Sequence, residues 1–427
     1  MSTINFRFYY VRIVNVINIK FVLQGLMFLL AVIVVFLRSP STYIHPQFWA
    51  EDGRVFFETA YRYHFSLGTL MLPYAGYFQF LPRSISLLGS FISLQYMPTV
   101  FSFIAVTIQT LPVIYLWSPR FSKIVKSTTA KVFLTFFYLF LPFTQEISGN
   151  LTNSQWYLAL VALMLILISE SNNIWIKWVD RLLLLFAGLS GPFAILLMPV
   201  ALLGWLSNRK GYTLKRLYIV LACSTIDIIN LLFFEARGSG YLGITLTRFF
   251  NIVGGQVFGT AIFGADSLHL LFSRPWVTPL LTILGVGLMT YVFIKCSIEL
   301  KLFIIYSFLI LFAAMFFPTS SSSPKGLWYI LQEEGATARY FFLVHLAVFV
   351  SLVWLLYSRR YIFLKVASVV IIILALMFGI PNDFRYSQIP NLHFADYANK
   401  FQSLPKGQKE RIPINPGPSW DITLIKR

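Results

Sequence analysis

Phe48-Trp49-Ala50-Glu51-Asp52-Gly53-Arg54 sets two adjacent carboxylates and an arginine just beyond a long apolar run, Phe21 to Leu37. Acid is scarce in this chain, with 16 Asp plus Glu against 34 Lys plus Arg. A carboxylate beside apolar surface keeps some basicity. One of the pair therefore suits removal of a proton from a hydroxyl as it attacks. Adjacent residues on a helix point about 100° apart, so the two do not share a single proton. One can face a reaction while the other ties to an arginine. The competing reading is structural, with Glu51 and Asp52 pairing with Arg54, Arg62 or Arg83 to pin the loop.

Arg339-Tyr340 stands where a later loop re-enters apolar sequence, after Glu333-Glu334-Gly335. It either snorkels or clamps a lipid phosphate, where a bidentate fork and positive charge stabilise the departing group. Arg237, Arg248, Arg274 and Lys325 are alternatives for that task. Gln145, Glu146, Asn153, Gln155 and Trp156 suit a sugar pocket by hydrogen bonding and stacking, and suit interface packing equally well. Asn150-Leu151-Thr152 matches a glycosylation sequon, a motif too short to carry weight. The 5 histidines show no metal-ligand spacing, and only His45 lies near the acidic pair. No P-loop or dinucleotide fingerprint is present. Cys223 and Cys296 each fall in an apolar run, which indicates neither a disulfide framework nor a metal site.

The elements that must position these groups follow from composition. Charged residues are 12% of the chain and mean hydropathy is +0.73, whereas soluble domains carry roughly 25% charged residues. Apolar runs recur along the whole length and mark one integral membrane unit. The net charge of +18 does not point to nucleic acid, because no nucleic-acid module is visible. The basic residues stand in short clusters between apolar runs, the pattern of cytoplasmic loops facing anionic lipid. Arg7, Arg12 and Lys20 before the first run read as the flank of a retained anchor rather than of a signal peptide.

The charge rule then gives about eleven spans, with the N-terminus inside and the C-terminus outside. It places Arg120, Lys123, Lys126 and Lys131 on the cytoplasmic side, with Lys177 and Arg181. Arg209, Lys210, Lys215 and Arg216 join them, as do Lys295, Lys301, Arg359, Arg360 and Lys365. Glu51, Asp52, Glu146, Glu235, Arg237 and Arg339 fall outside, so a site needing both acid and base belongs there. The region broken by Gly188-Leu189-Ser190-Gly191-Pro192 reads as two short helices. Gly254-Gly255-Gln256-Val257-Phe258-Gly259 reads as a re-entrant or surface helix. In the first outer loop, 38–96, short interfacial helices are expected between Gly53 and Leu70. A turn at Pro73-Tyr74-Ala75-Gly76-Tyr77 and a juxtamembrane piece from Pro82 to Leu94 follow. Residues 1–380 form the membrane unit, and 381–427 a short polar tail outside. In that tail Trp420 either anchors at the membrane or closes over an acceptor.

An acidic pair in the first outer loop, many spans and short outer-face helices resemble the GT-C class of polyprenyl-phosphate-sugar-dependent glycosyltransferases. More narrowly, Phe48-Trp49-Ala50-Glu51-Asp52-Gly53, the Pro73 to Tyr77 turn and Pro82-Arg83 are similar to bacterial and phage-encoded membrane glucosyltransferases that modify O-antigen during serotype conversion. Asn150, Asn153, Trp156, Asn415-Pro416 and Trp420 share that likeness. The resemblance runs over nearly the full chain, specific in the first loop and weak elsewhere.

The resemblance implies an all-α polytopic GT-C-like fold in the bacterial inner membrane, with its active site facing the periplasm. It implies transfer of a sugar, glucose by preference, from undecaprenyl phosphate to a hydroxyl of lipid-linked O-antigen, with inversion at the anomeric carbon. It gives the role of base to Asp52, with Glu51 as the alternative, and a lipid-phosphate role to Arg339. Arg54, Tyr74, Tyr77, Arg83, Asn150, Asn153, Trp156 and Tyr340 become substrate-binding positions. Phosphate is already a good leaving group, so no metal is required, and assistance by Mg²⁺ stays open. A companion flippase and a donor-synthesising transferase are the implied partners, beside the lipid donor, the glycan acceptor and membrane lipids. The tail is short beside the large soluble domains of several members, which leaves acceptor recognition to the outer loops. The rival readings are a glycolipid transporter or flippase, or the same scaffold acting on lipid A or another cell-wall glycan. Few charges lie within the spans, Asp227 being the notable one.

Overall fold

The computed structural model describes residues 3–207, 214–234, 240–318, 323–333, 335, 337–358, 362–417 and 419–427, with side chains from residue 21 on. Arg209, Lys210, Glu235, Arg237, Glu334, Arg359 and Arg360 lie outside the described residues, as do the side chains of Arg7, Arg12 and Lys20.

The apolar runs become helices because a helix satisfies its own backbone N–H and C=O groups, which lipid cannot do. In chain order these are α1 (Thr3–Arg38), α2 (Phe80–Leu87), α3 (Met97–Trp117), α4 (Thr128–Leu139), α5 (Ser154–Leu167), α6 (Ile174–Gly188) and α7 (Phe193–Ser207). There follow α8 (Leu214–Phe233), α9 (Val277–Lys295), α10 (Ile298–Phe316), α11 (Phe342–Tyr357), α12 (Ile362–Leu374) and α13 (Phe394–Ser403). Among the described residues, 7 helices are long and apolar enough to cross a membrane, namely α1, α3, α8, α9, α10, and α11 and α12 with their flanking turns. α4, α5 and α7 are shorter apolar helices. The chain is a multi-pass, largely helical membrane protein.

Burial separates the centre from the rim. The stretch Ala338–Tyr357 is 78% buried, whereas Phe21–Arg38, Val277–Lys295 and Ile362–Phe384 are each 22% buried. α11 is therefore central, beside α5, which is buried from Ser154 through Ile166. Stacked Phe137 and Phe349 rings (4.6 Å) and the Tyr157–Phe342 edge contact (5.1 Å) knit α4, α5 and α11 together. At the rim, Leu26, Leu29 and Ile33 of α1 turn outward, as lipid-facing positions should.

Two charge clusters fasten opposite ends of the bundle. Arg38 donates to the carbonyls of Leu139 (2.8 Å), Leu141 (2.9 Å), Asp383 (3.1 Å) and Phe384 (3.1 Å). A cation thus caps orphan carbonyls where α4 and the extension of α12 terminate. At the other end, Asp180 of α6 accepts from Arg120 (2.5 and 3.0 Å), Arg216 (2.8 Å) and Tyr115 (3.0 Å). Arg120 and Arg216 were expected on one common side, and this cluster puts them together.

Two expectations change. The Gly254 to Gly259 segment is not a surface helix: it lies within a π-helical stretch, Asn251–Gly259, buried from Ile252 onward and packed against α9. Small residues let the backbones approach, as where Gly254 faces the Thr278 carbonyl. The tail, expected as a short polar segment, folds. It forms α13 and an antiparallel hairpin, β1 (Lys409–Pro413) with β2 (Asp421–Ile425). Strand alternation buries Ile412, Ile422 and Leu424 on one face. Phe394, Ala398 and Phe401 make the buried stripe of α13.

The tail docks on the loop that follows α1. Ala50 N–H donates to Asn415 O (2.5 Å), and Asn415 N–H donates to Phe48 O (3.1 Å). Phe48 packs between Phe57 (5.0 Å), Phe101 (5.2 Å) and Phe394 (5.4 Å). Gly53 permits the fit, because a Cβ there would lie 2.8 Å from Ile414 Cδ1 and 2.9 Å from Phe48 Cβ. Gly53→Ala should therefore overpack this junction and cost about 1–3 kcal/mol, read as a lowered Tm in detergent. An unchanged Tm would mean that the tail does not clamp the loop.

Candidate functional site

The first loop gives its two carboxylates opposite surroundings. Asp52 opens a π-helical turn, Asp52–Phe57, and is 2% exposed. Its Oδ1 accepts from Thr152 N–H (2.7 Å) and Thr152 Oγ1 (2.6 Å), and its Oδ2 from Leu151 N–H (2.8 Å). A carboxylate has about four acceptor positions, so one remains on Oδ2. Burial pushes the Asp52 carboxyl up to about 7, against the opposing pull of its three donors. The group is thus oriented by a rigid loop and kept basic by desolvation. Beside it lies a small cavity of about 40 Å³, its walls mixed, with Phe48, Trp49 and Phe101 beside Thr42, His45, Gln47, Ser102, Ser148 and Tyr386.

Ala50, two residues earlier, has φ 34, a left-handed conformation that costs an L-residue energy. Its N–H bond to the tail holds it there. Strain held by surrounding structure is common where a side chain must be aimed.

Glu51 turns the other way. It is half-buried and accepts from Tyr74 Oη (3.2 Å). The turn carrying Tyr74 is closed by a Tyr74–Tyr77 bridge, with Ala75 and Gly76 both at positive φ. Tyr77 is buried, close to Gln155, and within electrostatic reach of Glu51, Arg339 and Tyr340. Trp156 stands edge-on to Tyr340 (5.6 Å) and Phe193 (4.8 Å), its indole N–H buried without an acceptor. Glu51, Tyr74, Tyr77, Gln155, Trp156, Arg339 and Tyr340 thus form one aromatic-lined wall.

Other expected site residues are committed to structure. Arg339 forms an ion pair with Glu146 and donates its backbone N–H to Glu146 Oε2 (2.9 Å). Its guanidinium lies 4.7 Å from the Tyr340 ring centroid. Asn150 donates to Glu146 O (2.9 Å) and accepts from Asn153 N–H (2.9 Å), while Asn153 Nδ2 donates to the same carbonyl (3.0 Å). Both asparagines shape the loop that presents Leu151 and Thr152 to Asp52. Arg54 is exposed and leans on the tail, reaching Ser419 O (3.3 Å) and the Trp420 ring (5.6 Å). Trp420 is therefore packed against the first loop. Arg248 and Lys325 both lie against the Tyr329 ring.

The arginine pairing set out as the structural alternative does not form. Arg62 pairs with Glu58 (2.5 Å), Arg54 goes to the tail, and Arg83 is buried over Phe56 (5.4 Å). Asp52 is held instead by Leu151 and Thr152 of the loop between α4 and α5. Thr152, noticed in the sequence only as part of a sequon, supplies two of its three donors.

No protein-family model matches the chain, and no curated protein or solved structure does either. A larger cavity, about 340 Å³, lies between α3, α4, α5, α10 and α11 near Phe121 and Ile124. Its walls are aliphatic and aromatic almost throughout, which suits a lipid chain and not acid–base work.

Proposed function

We propose that the protein is a GT-C-like glycosyltransferase of the bacterial inner membrane that moves a sugar from undecaprenyl phosphate to a hydroxyl on a lipid-linked glycan. Glucose as the sugar and O-antigen as the acceptor follow the first-loop resemblance. The observation that carries the reading is Asp52, a loop carboxylate that is buried, aimed by three donors and raised to about 7. A base of that strength takes a hydroxyl proton efficiently near neutral pH. The acceptor oxygen attacks the anomeric carbon from the face opposite phosphate, phosphate leaves with its electron pair, and the configuration inverts. The wall of Tyr74, Tyr77, Trp156 and Tyr340 supports a sugar by stacking, with Glu51 available to its hydroxyls. In this reading α6 joins the seven long helices and α4, α5 and α7 as an eleventh span, and the carboxylate loop faces the periplasm.

The test is incubation of purified protein with undecaprenyl-phosphate-linked sugars and a lipid-linked glycan, followed by linkage analysis. An α-linked product from a β-linked donor supports the reading, and absence of glycan modification with every donor sinks it. A glycolipid transporter is the second reading, favoured by one observation. Asp227 of α8 is 0% exposed with both carboxylate oxygens unpartnered, and Asn230 one turn on is also buried. Unpaired polar groups inside a span mark ion or substrate pathways in carriers. The transporter reading expects movement of a labelled glycolipid between leaflets with no new glycosidic bond.

A further inference from the structure

The larger cavity, about 340 Å³, takes no part in the proposed reaction. Side chains such as Leu116, Leu163 and Val350 line it. Ala130 and Tyr138 mark its extent along α4, about 12 Å of helix. The polar groups inside it are already engaged. Thr135 Oγ1 accepts from the Trp117 indole (2.8 Å), and the Tyr138 hydroxyl donates to Gln109 O. Polarity returns at one end only. Lys126 and Ser127 stand just before α4, Ser297 and Glu299 at the junction of α9 and α10, and all four line the cavity. Lys126 is exposed and Glu299 half-buried. Among the described residues neither forms an ion pair. The neighbouring cations have partners, Arg120 in Asp180 (2.5 Å) and Lys131 in Ser122 Oγ (2.7 Å). Trp354 and Tyr357, on the last turn of α11, border the same end. Indole and phenol rings collect at headgroup depth in a membrane.

A long apolar slot opening beside one cation, one anion and two such rings matches a membrane lipid, chain inside and headgroup at the mouth. The charges select the headgroup. Lys126 answers a phosphate and Glu299 an ammonium, so a zwitterionic head satisfies both. A purely anionic head leaves Glu299 facing like charge. A polyprenyl-phosphate donor fits worse, because its phosphate has to lie by Asp52. Phe101 and Ser102 border the Asp52 cavity and Leu116 the large one, about 22 Å apart along α3.

We infer that this cavity holds one acyl chain of a zwitterionic phospholipid, phosphatidylethanolamine, with Lys126 on its phosphate and Glu299 on its ammonium. The lipid is then part of the packing, occupying space between α3, α4, α5, α10 and α11 that side chains do not fill. The inference does not rest on the glycosyltransferase reading.

The experiment titrates delipidated protein in detergent with phosphatidylethanolamine, phosphatidylglycerol or undecaprenyl phosphate and reads the rise in Tm, which tracks binding to the folded state. Phosphatidylethanolamine should raise Tm more than phosphatidylglycerol does. Glu299→Gln should weaken its binding about fivefold and leave that of phosphatidylglycerol unchanged or stronger, whereas Lys126→Gln should weaken both. Leu134→Trp, which puts a larger ring into the cavity wall, should abolish the phosphatidylethanolamine response. Lys126 and Glu299 lie at the mouth, so their variants decide the matter even if Leu134→Trp does not fold. A phosphatidylethanolamine response that is absent, that phosphatidylglycerol equals, or that survives Glu299→Gln and Lys126→Gln unchanged overturns the inference. So does an undecaprenyl-phosphate response that Leu134→Trp removes, since that puts the donor chain in this cavity. Sugar transfer is measured separately, and its failure would leave the occupant of this cavity as it stands.

Discussion

Asp52→Asn should lower sugar transfer by about 10²–10⁴-fold, the range a positioned general base supplies, while the protein still inserts and folds. The amide keeps the size of the carboxylate and loses the proton-accepting lone pair of an anion. Stability should not fall with activity at pH 8. Folded Asp52 is raised to about 7, above an ordinary value of about 3.9. The folded state therefore binds a proton here that the unfolded state has released between those values. By linkage, the stability this group contributes is fullest below about pH 4 and declines as pH rises through about 7. Asparagine, having no charge to bury, escapes that decline. Activity lost with Tm at pH 8 held or raised supports Asp52 as the base. Activity lost together with a large drop in Tm would mean that it only ties the loops. Normal activity in Asp52→Asn with loss in Glu51→Gln would move the base to the neighbouring residue.

Removal of residues 404–427 should abolish transfer and loosen the first outer loop. Ile412, Ile414, Ile422 and Leu424 are buried to 0 or 1% exposure in the docked tail. Burial of an aliphatic side chain is worth about 1.5–3 kcal/mol, so the docking they drive is of order 10 kcal/mol before ordering costs. The same segment holds Ala50 through Asn415 O, and Ala50 aims the carboxylate pair. Limited proteolysis should then cut between residues 45 and 65 in the truncated protein and spare the full chain. A truncated protein with full transfer activity would show that the tail does not brace the site.

The bundle was the readable part of the sequence. Lipid demands long apolar runs, so α3, α9, α10 and α11 begin and end within a few residues of where hydropathy and basic clusters put them. The carboxylate pair and its loop were readable too, because acid is conspicuous in so oily a chain. What sequence could not supply was partnership over distance. Asp52 meets Thr152, and Arg339 meets Glu146, across long stretches of chain that no local pattern connects. Asn150 and Asn153 looked like ligands for a sugar because free amides bind hydroxyls; the fold spends theirs on the Glu146 carbonyl. The hairpin was hidden because Ile412, Ile414, Ile422 and Leu424 are spread through polar sequence, and only pairing makes them a face. Asp180, lying between Lys177 and Arg181, is a local sign of its charge cluster: a lone acid within a basic patch of an acid-poor chain.

The most direct measurement is the pH dependence of kcat/KM for transfer, which reports ionisation in the free enzyme. If Asp52 removes the acceptor proton, the rate must rise with pH through about 7 as the folded carboxylate ionises, and Asp52→Asn must lack that limb. A rate that is flat from about pH 5 to 8, or a limb that survives in Asp52→Asn, would contradict the assignment.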